Sequence, residues 1–168
     1  MTGSNAEMQR IEVSWNKLDE LVNQVQAASG LTRVRTDGWS VKDHLAHVAA
    51  WEHSLVALIE GLDMLEAMGV RGPVEENTDA INEAIMNLHA KDTAEEALAY
   101  FRDSHAQMVV ALGKLSDADL QKPYSHFQPG DPDEKRPAIG WVAGNTYEHY
   151  AEHIGWINQL LSESSAAR

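Results

Sequence analysis

The chain has 168 residues, no cysteine, and 26 acidic against 13 basic side chains, for a net charge of −13. That length suits one domain spanning residues 1–168, with a core from about 5 to 161, and the missing thiols exclude disulfides and thiolate metal sites. The acidic balance repels phosphate backbones and anionic lipid, so neither nucleic acid nor a membrane is expected as a partner.

The first helix is predicted from Asn5 to Ala28. Met8, Ile11, Trp15, Leu18, Val22 and Val25 recur there at spacings of three and four, with Gly30 as a stop. Ser40, with Asp43 three residues on, caps a second helix that ends before Gly69–Pro73. Its stripe is Val41, Leu45, Val48, Leu55, Ile59 and Leu62. A short helix is expected over Thr78–His89, and Thr93 with Glu96 opens a longer one carrying Phe101, Met108 and Leu112. Ser116–Leu120 reads as one extra turn. Residues Pro123–Pro137 hold four of the five prolines plus Tyr124, His126 and Phe127, the composition of a loop that could cover a pocket. A last helix is expected over Ala138–Leu161, with a frayed tail. The pattern is all-α, a four-helix bundle with an additional short helix. No basic segment followed by an apolar run opens the chain, and no apolar run reaches spanning length, so a cytoplasmic protein is expected.

Eight histidines are present. In the last helix His149 and His153 lie one turn apart on the face set by Val142, Trp156, Ile157 and Leu160, while Glu148 and Glu152 turn toward solvent. At that spacing two imidazoles can ligate one metal ion, which would satisfy a nitrogen on each. Hydrogen-bonded core histidines are the plainer alternative. A third ligand can come from the second helix, where His44 sits inside the stripe, His47 at its edge beside Trp51, and His53 at the surface. Periodicity alone favours His44. Glu52, also on the stripe, is read as an acceptor for a ligating histidine. His89, His105 and His126 carry no comparable pattern.

The run from Gly38 to Glu52 (GWSVKDHLAHVAAWE) and the run from Asn145 to His153 (NTYEHYAEH) together resemble the DinB-like superfamily of metal-binding four-helix bundles. The resemblance covers nearly the whole chain. It implies that His47, eight residues after Trp39, joins His149 and His153 around Zn²⁺ or Ni²⁺ with a position left for water or substrate. The characterised branches include thiol-dependent S-transferases, a mycothiol-dependent maleylpyruvate isomerase, and the ClbS/DfsB branch, which protects producers from their own reactive metabolites.

Three functions follow. The first is a metal-dependent enzyme on small electrophiles, of thiol S-transferase, isomerase or hydrolase type. His44, Trp51, Glu52 and Asn145 would support or line the site, Tyr147, Tyr124 and Phe127 would add walls, and a low-molecular-weight thiol would serve as cosubstrate because the chain has none. The second is a sequestering or self-resistance protein without turnover. The third is a metal-free structural bundle, whose leftover apolar faces would favour a homodimer.

Overall fold

The computed structural model describes residues 3–27, 30–32, 38–72, 77–132 and 134–166, and these are mostly helical with no strand among them. Four long helices form the frame: α1 (Gly3–Ala27), α2 (Val41–Glu60), α5 (Ala94–Leu112) and α9 (Tyr147–Ala166). Shorter ones connect or buttress them: α3 (Met64–Ala67), α4 (Thr78–His89), α6 (Asp117–Leu120), α7 (Tyr124–Phe127) and α8 (Ala138–Asn145). The expected helix end at Ala28, Pro73, and the tail residues Ala167 and Arg168 lie outside the described residues.

α2 is the central helix. It packs against α5, α3, α4, α8 and α9, while α1 packs on α9. Having neighbours on most sides, α2 buries far more than an amphipathic stripe, including His44, His47 and Glu52. Its start is fixed chemically. Ser40 Oγ accepts from Asp43 N while the Asp43 carboxylate accepts from Ser40 N, so two otherwise orphaned amides are satisfied. Its end is fixed by Gly61, whose φ of 69° is costly for a side chain and whose Cβ position lies 3.3 Å from Phe127 O.

Three expectations change. The second helix, expected to run until just before Gly69, stops at Glu60 because of the Gly61 cap, and Leu62, expected on its core stripe, is 55% exposed. The last helix is not continuous, because Thr146 leaves helical geometry (φ −127°, ψ −108°) and separates α8 from α9. Its hydroxyl donates to Val142 O at 2.6 Å, a local side-chain bond that competes with helix continuation. The tail expected to fray from Ser162 instead stays helical to Ala166.

The proline-rich segment is not a cover over the histidines. Pro123 and Pro137 pair in a bridge that closes it at its base, and Gln128 Nε2 donates to Leu62 O at 2.9 Å. That anchors it at the far end of α2, about 20 Å along the axis from His47 at ~1.5 Å per residue. Tyr124 packs at a tilt against Trp141 with its hydroxyl on Met64 Sδ, and Phe127 packs on the core, so neither walls the histidine site. Tyr147 faces α1, where its carbonyl accepts from Ser14 Oγ.

Candidate metal centre

His47 comes from α2, one turn after His44. His149 and His153 come from consecutive turns of α9. Burial brings them together: α9 presents its apolar face to α2, and these side chains occupy that face in place of aliphatic ones. One ligating atom from each of His47, His149 and His153 lies within 4.8 Å of the others. His149 Nε2 is the hub, 3.1 Å from His47 Nε2 and 3.0 Å from His153 Nε2.

This cluster does not satisfy itself. A neutral imidazole nitrogen offers either one N–H or one in-plane lone pair, so His149 Nε2 cannot serve both contacts well. Protonation does not rescue the arrangement. Burial, followed by the neighbouring His149 and His44, lowers His47 to about 3. Burial and then His44 lower His149 to about 4, and His153, enclosed further, is held well below the usual histidine range. Three neutral imidazoles therefore converge at neutral pH. Separations of about 3 Å suit nitrogens sharing a divalent ion at ~2.0–2.1 Å each, and the all-nitrogen donor set suits zinc or nickel. The residues present fit the group.

His44, which periodicity favoured as a ligand, turns away from this convergence. Its Nδ1 lies 3.1 Å from His153 Nδ1. With His153 donating its Nδ1–H there, His153 Nε2 keeps a bare lone pair toward His149. In that tautomer His44 orients a candidate ligand. The Nδ1 atoms of His47 and His149 are buried with no partner among the described residues.

Glu52 does not touch the three histidines. Fully buried, it accepts from Tyr150 Oη and His105 Nδ1 at Oε1 and from Ser104 Oγ at Oε2. His105 lies flat on Trp15, with ring centroids 3.5 Å apart. Burial, reinforced by the Glu52 charge, drives the Tyr150 hydroxyl well above its ordinary pKa, so it stays a donor. The expectation that Glu52 backs a ligating histidine is corrected: its rotation on α2 carries it to α5 rather than to the His149–His153 pair.

Two cavities of about 260 and 250 Å³ flank the histidines and share His47, Asn82 and Trp156. The first adds Trp39, His44 and His153. The second adds Trp51, Asn145, His149 and Glu152. Trp51 Nε1 donates to Asn82 Oδ1 at 3.1 Å, and Asn145 Nδ2 donates to Trp141 O at 2.8 Å. The sequence reading missed Asn82, because α4 gave no signal beyond its apolar face. Glu152 is exposed, as its turn toward solvent implied, and it also borders the second cavity. His53 and His89 both stack on Tyr100, and exposed His126 meets Phe127 edge-on.

An all-helical bundle with histidines converging from α2 and α9 is a recognisable class. The chain belongs to the DinB superfamily, whose sequence model matches residues 10–157. Among solved structures it is similar to DfsB, described as a sibling lethal factor precursor, with a TM-score of 0.73, 18% identity and 96% of each chain covered. It is also similar to the colibactin self-resistance protein ClbS in complex with double-stranded DNA, with a TM-score of 0.69, 14% identity and 95% of each chain covered. An uncharacterised protein from Escherichia coli UTI89 aligns with a TM-score of 0.73 at 14% identity, over 96% of this chain and 94% of that one. At these identities the likeness is one of fold. No curated protein matches the chain.

The ClbS complex overturns one expectation. Net charge excluded nucleic acid from the partners, yet a protein of this fold is solved with duplex DNA. A sum over the whole chain does not fix the potential at one surface, so the exclusion does not stand. No helix among the described residues is long and apolar enough to cross a membrane.

Proposed function

We propose that this protein binds one divalent metal ion, Zn²⁺ or Ni²⁺, on His47, His149 and His153, and acts on small electrophilic molecules by thiol transfer, isomerisation or hydrolysis. The observation that carries this reading is His149 Nε2 facing two other imidazole nitrogens at 3.0–3.1 Å, with all three rings held neutral. An ion bound there would lower the pKa of a bound thiol or water and supply a nucleophile at neutral pH. The chain's own residues bind and orient. His44 positions the His153 ring, Trp39 and Trp156 line one side, and Asn145 and Asn82 offer polar contacts on the other. For transfer chemistry the thiol is an external low-molecular-weight cosubstrate, since the chain has no cysteine.

A second reading is sequestration without turnover, favoured by the fold's likeness to a self-resistance protein. The first test is elemental mass spectrometry of protein purified without a nickel column, comparing wild type with His47→Ala and His149→Ala. Near-stoichiometric metal in wild type, lost in both variants, is the expected result. Absence of metal together with failure to take up zinc or nickel sinks the proposal. Product formation from an electrophile panel, with and without added thiol, then separates catalysis from sequestration. Duplex DNA belongs in the same binding panel.

A further inference from the structure

The two cavities differ in chemistry, and the difference specifies a ligand. His47, Asn82 and Trp156 form the seam between them, so they act as two lobes of one cleft divided at the histidines. Either lobe alone is smaller than the ~300–1,000 Å³ of common ligand sites, whereas the joined cleft falls within that range.

The first lobe is flanked by two indoles. Trp39 lies 5.2 Å from both the His44 and the His47 rings, and Trp156 lies 4.8 Å from the His153 ring. Trp156 remains 39% exposed, an unusual exposure for so large an apolar side chain, and it stands where the lobes meet. Two indoles lining one cavity favour a planar group.

The seam selects an acceptor. An indole N–H can only donate, so the Asn82 atom that meets Trp51 Nε1 is the oxygen. The Asn82 amide N–H₂ is therefore the group left for the cleft, and it suits a carbonyl or ether oxygen.

The second lobe selects charge. Among the described residues lining either lobe, Glu152 is the only charged side chain. A carboxylate next to indole side chains attracts organic cations by ion pairing and by cation–π contact together.

We infer that the cleft binds a small planar organic cation, its flat conjugated part between Trp39 and Trp156 and its positively charged nitrogen toward Glu152. That this ligand is the substrate rests on the proposed metal chemistry. The binding itself does not, and is measured on metal-free protein.

The test is calorimetric titration of the chelator-treated full chain with 1-methylquinolinium, and with naphthalene-2-sulfonate as a flat anion of similar size. The quinolinium is expected to bind one-to-one, at least about fivefold more tightly than the sulfonate. Trp156→Leu and Glu152→Gln should each weaken it about two- to tenfold. Glu148→Gln, at an exposed position of the same helix away from both lobes, should leave it unchanged. All three substitutions fall on accessible or partly accessible surface, and circular dichroism verifies the fold. The inference is overturned by lack of saturable quinolinium binding, by equal affinity for the sulfonate, or by equal effects of the Glu152 and Glu148 changes. Metal content, read separately, decides the fate of the metal reading.

Discussion

Two buried polar clusters lie along α2, five residues apart, and both tie it to α9. Around Glu52 every carboxylate oxygen has a donor: Tyr150, Ser104 and His105 all point their polar atoms at it. Around His149 three nitrogens crowd one another with no proton arrangement that suits them all. A closed network is what structural polar groups look like, because burying an unsatisfied one costs about 1–3 kcal/mol. An open cluster of the same size, in the same protein, has room for a ligand that would satisfy it. The contrast sets a satisfied cluster beside an unsatisfied one on a single helix.

The sharpest way to break the contrast is at Glu52. Glu52→Ala takes the acceptor from buried Tyr150 and partly buried His105, leaving Ser104 only its bond to Phe101 O, and should destabilise the fold by about 3–5 kcal/mol, lowering the melting temperature by roughly 10 °C. If Glu52 only fastens, the folded variant still takes up metal at the wild-type stoichiometry. Metal loss in a still-folded Glu52→Ala would erase the distinction between the clusters.

Acid probes the other cluster. Unfolded histidines titrate near 6.5, whereas His47 and His149 do so at about 3 and about 4. Between those values the unfolded chain holds more protons, so stability rises with pH across that window and falls as pH drops from about 6.5 toward 4. Each histidine contributes a slope of up to ~1.4 kcal/mol per pH unit. Denaturant melts of metal-free protein at several pH values should show this slope, flattened in His149→Leu. An unchanged slope in that variant would assign the acid sensitivity to other groups.

The mildest effect is expected at His44. Because it orients His153 rather than joining the convergence, His44→Ala should weaken metal binding about 10–100-fold without abolishing it. A competition titration against a chelator measures this. Complete loss of binding would move His44 into the ligand set.

Much of this was legible beforehand because it depends on short-range chemistry. The stripes of α1 and α5, the capping box at Ser40, and the one-turn spacing of His149 and His153 are local patterns that tertiary packing did not override. Thr146 was not legible, since a threonine is tolerated in many helices and only its bond to Val142 O shows the break. Glu52 was misassigned for a related reason. Periodicity shows that a residue faces inward, but α2 has neighbours on several sides, so facing inward does not say which one it meets. Asn82 and Glu152 reach the cleft by the placement of α4 and α9, which no single-helix pattern encodes. The proline-rich segment was read from composition alone, which says nothing about which end of the bundle it closes.

The Tyr150–Glu52 contact has a consequence for how such a protein can change over time. Tyr150 sits between His149 and His153 in the chain, yet it grips α2 through a carboxylate that none of the three converging histidines touches. The grip on α9 is thus independent of the chemistry displayed beside it. A descendant can exchange its histidines for other donors, or for none, while the bundle stays shut. Fold and site can diverge at different speeds, which makes the scaffold a tolerant starting point for new reactions.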